Sequence, residues 1–355
     1  MIYIVPIEQL DMRYSLQWFN NIPRQLENRG AQVTTINGKT IAASDEALSQ
    51  GAFLNFSNTN YFKASQVQII SKLFTDKKIK AGDKFLVTDA WNFAVTAIRY
   101  MSELLDVPVE IHGIWHAGAY DPSDILGMKM AKPWPWHQER AWFHACDYNY
   151  FATQFHADMF CNNLNVAETD RAKVVISGQP HELLVETING YNNIHINVRS
   201  VIWPHRNNSD KQPDIARDLK MELCKEPYAV AMDLGYMQNL TKDEFYKVLK
   251  DRRVMFSCSL HENLGISVME GVLLNVIPVL PSRCSYTEMY LPEFLYPSEW
   301  TSSFENYLLH KNELLNFIAD RLDYPENYAT AMQQQRQLLL DKYLNANVMY
   351  DKLCS

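Results

Sequence analysis

Short apolar runs that end in small or polar residues alternate along the chain with longer amphipathic stretches, the rhythm of βα units wound on a parallel sheet. In the first half the runs predict strands at 2–5, 32–36, 52–56, 84–87, 109–112 and 149–152, with helices at 16–28, 64–74 and 92–105. The stretch 115–135 breaks this rhythm, carries Gly118, Pro122, Gly127 and Pro133, and predicts a long functional loop. The second half resumes with strands at 173–176, 198–203, 228–232, 254–258 and 277–280, and helices at 301–321 and 325–344. The fold class is therefore α/β, with two Rossmann-like domains at 1–180 and 181–330 and a hinge between 178 and 197. A helical tail at 331–355 is expected to cross back onto the first domain.

Length supports two cores: 355 residues exceed one ordinary domain and fit two of roughly 150 to 180 residues. An apolar fraction of 47% with only 12 Gly and 15 Pro leaves little room for disordered segments. The six cysteines form no C-x-x-C pair and read as reduced, mostly buried thiols rather than a zinc site or a disulfide framework. The first residues read as a strand rather than a secretion signal, and no apolar run reaches the ~18 residues of a membrane span. A cytoplasmic protein with no membrane partner is expected. Lys and Arg number 33 against 41 Asp and Glu, a net charge of -8, which confines any nucleic-acid contact to a local basic patch.

The most informative segment is 256–271, a strand, a short loop and a helix expected to begin near Leu264. A helix N-terminus directly after a strand presents unpaired N–H groups and a positive dipole end, which suit a pyrophosphate. Gly265 allows close approach there, Glu262 in the loop is placed to reach a sugar hydroxyl, and Glu270 within the helix to accept from a ribose diol. A second cluster follows the strand at 198–203 and supplies Arg206 and Lys211, two cations able to stabilise the charge that builds on a leaving diphosphate. The plain alternative for each cluster is a solvated surface; both in order along one α/β domain favour the donor site.

Glu262-x7-Glu270, followed by Asn275-Val-Ile-Pro and by Tyr286-Thr-Glu288, resembles the donor-binding region of the retaining, family-four-like glycosyltransferases of GT-B architecture. The resemblance implies two facing Rossmann-like domains and a nucleotide-sugar donor, UDP- or GDP-linked, with no separate cofactor and no metal. It implies that Glu262 contacts the donor sugar, Glu270 the ribose, and Arg206 with Lys211 the diphosphate, and that Asn263, Leu264, Gly265 and Ile266 line the donor site. Asn275 stands where that family usually has Gly. The segments 203–213 and 281–296 look closer still to the queuosine-tRNA mannosyltransferase branch and to glycosyltransferases of T-even-like phages. Enzymes of that kind modify bases, which implies DNA as the acceptor, carrying a hydroxymethylated pyrimidine, and host cytoplasm as the compartment if the chain is phage-encoded. A tRNA base, a carbohydrate or envelope glycan, and a non-catalytic nucleotide-sugar-binding module are the alternatives.

In the first domain, His112, His116, Tyr120 and Asp121 follow a strand and so fall at the sheet edge where open α/β folds bind ligands. His116 is the candidate to face sugar and acceptor, with Tyr120 and Asp121 beside it; His112 reads equally as a structural histidine. The His-x3-His spacing lacks the Glu of a zinc helix motif and a third ligand. Asp89, with Trp91, reads either as an acceptor-side carboxylate or as a helix N-cap. Lys129, Lys132, Trp134 and Trp136 interleave cations and aromatics, as gripping a strand and stacking on a base require, or else the tryptophans pack under a proline-rich loop. Lys77, Lys78, Lys80 and Lys84 read as a phosphate patch or a solvated turn.

Overall fold

The computed structural model describes residues 1–10, 14–41, 55–191, 198–235 and 240–355. They form two compact units, Met1–His181 with Asn345–Ser355, and Glu182–Leu344.

The first unit holds a parallel sheet of β1 (Ile2–Val5), β2 (Val33–Thr35), β3 (Lys84–Val87), β4 (Glu110–Ile114), β5 (Tyr148–Phe151) and β6 (Val174–Ile176), in the order β2-β1-β3-β4-β5-β6. Its helices are α1 (Tyr14–Asn28), α2 (Phe56–Thr75), α3 (Ala94–Leu104), α4 (Ile125–Lys129), α5 (Pro133–Ala145), α6 (Gln154–Asn163) and, from the far end of the chain, α14 (Asn347–Cys354). Side chains alternate across a strand. In β1, Ile2 and Ile4 therefore face Trp18, Ile22 and Leu26 of α1, whereas Tyr3 and Val5 face Ile70 and Phe74 of α2 and Val95 and Ile98 of α3. Helices on both faces explain why β1, IYIV, reads as an unbroken apolar run.

The second unit holds β7 (Val198–Trp203), β8 (Ala231–Leu234), β9 (Arg252–Phe256), β10 (Ile277–Pro281) and β11 (Leu295–Tyr296), parallel throughout in the order β11-β10-β9-β7-β8. Its helices are α7 (Glu182–Asn189), α8 (Pro213–Leu223), α9 (Lys242–Lys250), α10 (Ile266–Leu273), α11 (Tyr286–Met289), α12 (Phe304–Asp323) and α13 (Ala329–Lys342). The chain leaves β7 toward β8 on one side and returns to β9 on the other. The switch point of the sheet therefore lies between β7 and β9, where open α/β sheets bind ligands beyond the strand ends.

Several expected elements differ. Phe56 opens α2 instead of closing a strand at 52–56, because the Asn55 carboxamide caps the amides of Ser57 and Asn58; the rest of that expected strand, 52–54, lies outside the described residues. The long loop at 115–135 contains α4, capped by Asp124, and the start of α5, where Pro133 occupies a position that needs no N–H. The strand near 173–176 does not open the second half but completes the first sheet as β6. Of the tail expected at 331–355, only Asn345 onward joins the first unit, and α13 stays with the second. No described helix is long and apolar enough to cross a membrane.

The helix α14 closes the first core with Met349, Tyr350 and Leu353 against α1 and β1. Leu353→Ala should cost about 2–5 kcal/mol, the range for a buried Leu truncation. Denaturant unfolding should show an earlier midpoint; a midpoint equal to that of the wild type would mean that α14 contributes no core.

Candidate active site

Two loops meet beyond the C-terminal ends of the neighbouring strands β7 and β9. The first runs from Pro204 through Lys211 into α8, the second from Ser257 to Gly265 into α10. The backbone N–H of Leu260 donates to the Asp210 carbonyl (2.8 Å), and the Gln212 side-chain amide donates to the carbonyls of Cys258 (2.5 Å) and Thr301 (2.6 Å). Gly265 turns the chain into α10 with φ of +75°, a conformation that favours glycine, and a Cβ there would come within 3.2 Å of Tyr286 and 3.3 Å of Glu262. The helix sits close on β9, since a Cβ on Gly271 would lie 2.3 Å from the Met255 methyl. Asn275 closes the turn after α10 at φ of +62°, and asparagine is among the few residues besides glycine that visit this region readily.

Lys211 is the centre of the cluster. Its side chain is 8% exposed, and its ammonium pairs with Asp210 and Glu262 at 3.2 Å each and donates to the His261 carbonyl at 2.5 Å. Burial works against its charge, but Glu262 and Asp210 outweigh that and raise its pKa. Glu262 spends its other oxygen on the Gly265 N–H (2.9 Å), at the start of α10. Burial opposes the Glu262 charge too, yet Lys211 above all holds its carboxyl down to about 2. His205, next in the first loop, is buried with Nε2 2.8 Å from the Ser257 hydroxyl; desolvation and Lys211 depress it to about 3, so it is neutral.

Glu270 lies one helical turn farther, 1% exposed, with Oε1 accepting from Lys242 (2.6 Å) and from the Tyr246 hydroxyl (3.0 Å). Its Oε2 is buried and meets no hydrogen-bond donor among the described residues. Leu264 is buried, Asn263 and Ile266 half-buried, and Arg206 exposed. The structure thus brings Lys211, Glu262, Gly265 and Glu270 to one strand-to-helix junction.

Three residues of this junction were not singled out from the sequence. Arg283, just after β10, donates to the carbonyls of Cys258, Ser259, Ser298 and Thr301 and so ties down the second loop. Lys242 and Tyr246 come from α9. Arginine in a segment next to a donor motif was the only hint, and it does not distinguish a ligand contact from a loop clamp.

The first-unit candidates divide. His116 is half-buried, its Nε2 donating to the Thr88 carbonyl (2.7 Å) and its Nδ1 paired with the Tyr14 hydroxyl (3.2 Å), which fixes its ring. His112 is structural, held between Glu110 (2.7 Å) and the Tyr150 hydroxyl (2.8 Å). Tyr120 and Asp121 are buried. Tyr120 is 1% exposed with its hydroxyl on His156, and Asp121 is buried in a turn where Oδ1 accepts from the Ser123 N–H. Asp89 pairs with the buried Lys63 (2.7 Å) and accepts from the Trp91 N–H, while Trp91 packs edge-on against Trp142 under the Lys63 cation. The N-cap of α3 is Phe93, which makes no side-chain cap, and Asn92 just before it accepts from the Ala94 N–H. Lys129 and Lys132 are exposed, as are Trp134 (60%) and Trp136 (42%), so the tryptophans do not pack under a loop. Trp136 donates its indole N–H to the Ala119 carbonyl at 2.8 Å, and Trp134 is the more exposed of the two rings.

No protein-family model matches the chain. Among curated proteins it is 26% identical over 119 residues to the tRNA-queuosine alpha-mannosyltransferase of Drosophila melanogaster, a match that spans 27% of this chain and 32% of that one. Among solved structures it is similar to an alpha,alpha-trehalose-phosphate synthase (UDP-forming) from Burkholderia vietnamiensis, with a TM-score of 0.66 at 12% identity over 100% of this chain and 97% of that one. WaaG, a glycosyltransferase involved in lipopolysaccharide biosynthesis, gives 0.56 at 9% identity over 100% and 98%. The pneumococcal O-GlcNAc transferase GtfA in complex with UDP and GlcNAc gives 0.53 at 13% over 82% and 59%, so the chain spans well under two thirds of that protein. These likenesses define the fold. The chain has the GT-B glycosyltransferase architecture of two parallel-sheet, Rossmann-like units with a C-terminal helical tail.

A carboxyl held at about 2 by Lys211 stabilises the folded site above the ordinary carboxylate range and loses that contribution only as pH falls toward 2. In a 13C-carboxyl NMR titration, Glu262 should stay ionised well below pH 4, and Lys211→Met should move its midpoint upward. A wild-type midpoint at the ordinary glutamate value would contradict the ion pair.

Proposed function

We propose that this chain is a retaining glycosyltransferase that moves a sugar from a UDP- or GDP-linked donor, held by the second unit, to a hydroxyl on a nucleic-acid base. One observation carries the reading: a buried ammonium, a carboxylate held far below its usual pKa and a helix N-terminus converge at the switch point of an α/β sheet. Diphosphate oxygens suit both the Lys211 ammonium and the first-turn amides of α10. A diphosphate there competes with Glu262 for Lys211 and for the Gly265 N–H, and so releases the carboxylate to accept from a sugar hydroxyl. As the glycosidic bond breaks, charge grows on the leaving diphosphate; Lys211, with Arg206 at the rim, stabilises it, so turnover needs no divalent ion. A carboxyl so far below its ordinary pKa is a weak base, which fits Glu262 for binding rather than proton transfer. His116 is assigned to the acceptor side, with its ring held by Thr88 and Tyr14.

The acceptor we propose is a hydroxymethylated pyrimidine in DNA. The exposed Trp134 offers a stacking face, with Lys129 and Lys132 nearby in the chain to meet phosphates. A base inside a duplex has to leave its stack to react. A second reading, a tRNA base, is favoured by the likeness to the queuosine mannosyltransferase.

The test is to incubate the protein with a panel of UDP- and GDP-sugars and with hydroxymethylated DNA, plain DNA or tRNA, and to analyse the released nucleosides by mass spectrometry. Sugar on a nucleoside should appear, should survive excess chelator, and should fall by about two to three orders of magnitude in rate with Lys211→Ala. Transfer to a small glycan alone would overturn the acceptor reading, and donor binding without transfer or hydrolysis would leave a binding module. Separately, Lys129→Ala with Lys132→Ala should flatten the salt dependence of DNA binding by up to about two phosphate contacts, while donor affinity holds. An unchanged salt slope would remove this surface from the acceptor site.

A further inference from the structure

The environment of Glu270 is asymmetric in a way that packing does not require. Its carboxylate is 1% exposed, and both donors that reach it, Lys242 and Tyr246, take the same oxygen, Oε1. The other oxygen, equally buried, has no donor among the described residues. Buried polar atoms are nearly always satisfied, and an acceptor left without a partner costs the full desolvation of that atom.

The donors are themselves fixed. Lys242 and Tyr246 stand four residues apart, on one face of α9. The start of that helix is locked by a capping box: the Thr241 hydroxyl accepts from the Glu244 N–H (3.3 Å), and the Glu244 carboxylate accepts from the Thr241 N–H (2.8 Å). Tyr246 is buried under Tyr191, whose own hydroxyl is bound to Asp243, and the Lys242 ammonium lies 5.1 Å from the centre of the Tyr246 ring. Lys242 also supplies the charge that a water-excluded carboxylate needs.

Resting on the donor reading above, we infer that Lys242 and Tyr246 are positioning residues that hold Glu270 by Oε1 so that Oε2 alone is turned to the donor ribose, making the pair the determinant of ribose over deoxyribose. A single oxygen carries lone pairs for two neighbouring hydroxyls, and a buried acceptor built for such donors discriminates strongly against a ligand that lacks one. Loss of either anchor lets the carboxylate rotate and blurs that distinction.

The experiment is calorimetric titration of the full chain with UDP and 2′-deoxy-UDP, repeated with GDP and 2′-deoxy-GDP. Wild type should prefer the ribonucleotide of its cognate base by about tenfold or more, as expected for a hydrogen bond to a charged group. Lys242→Met and Tyr246→Phe should each shrink that ratio about threefold or more, by weakening the ribonucleotide and not the deoxynucleotide. Lys242→Arg should restore most of it. A role confined to packing would weaken both nucleotides alike and leave the ratio unchanged, which overturns the inference while the donor site stands. Wild type that binds none of the four nucleotides overturns the donor reading and this inference together.

Discussion

The buried ammonium of Lys211 is the constraint around which the second unit's site is arranged. A lysine nearly excluded from water keeps its proton only if opposite charge is close, and Asp210 beside it in sequence supplies one carboxylate. The other comes from Glu262, far along the chain, which obliges the loop after β9 to lie against the loop after β7. The remaining loop contacts follow from that obligation: Leu260 to Asp210, Gln212 to Cys258, and Arg283 across the carbonyls of Cys258 and Ser259. The parallel sheet places those two strand ends side by side, and Gly265 starts α10 where its first amides face the same charges.

This arrangement also accounts for the division of labour between the two glutamates. Glu262 is partly exposed and bound to groups that a diphosphate also seeks, so it is an exchangeable contact. Glu270 is buried in α10 and anchored from α9, so it is a fixed one. In the proposed reaction the exchangeable carboxylate would serve the sugar and the rigid one the nucleotide, so that the donor's two ends would be recognised separately.

Much of the fold was legible because strands covered by helices on both faces are rich in apolar residues, as in 2–5 and 85–87. The donor candidates were legible because a strand, a glycine-containing loop and a helix follow one another in a single segment. What failed had local causes of another kind. Asn55 turned an apolar run into a helix start, Pro133 began a helix where it was read as interrupting structure, and β11 is two residues long, too short for any period to show. Burial of Tyr120 and Asp121 and the clamps made by Arg283, Lys242 and Tyr246 depend on contacts between segments distant in sequence, and such contacts leave no periodic mark. For Lys129, Lys132, Trp134 and Trp136 the residue types left an exposed grip and a buried packing equally open; the four are exposed, on and around α4 and α5 and not on a loop.

The donor site is tested most directly by a crystal structure of the chain with UDP and, separately, with GDP. The account predicts diphosphate oxygens within hydrogen-bond reach of the Lys211 ammonium and the first-turn amides of α10, with ribose hydroxyls on Glu270 Oε2. Glu262 should have left the Gly265 N–H. A nucleotide bound anywhere else, or a diphosphate that leaves the Lys211–Glu262 pair and the α10 N-terminus untouched, would contradict it.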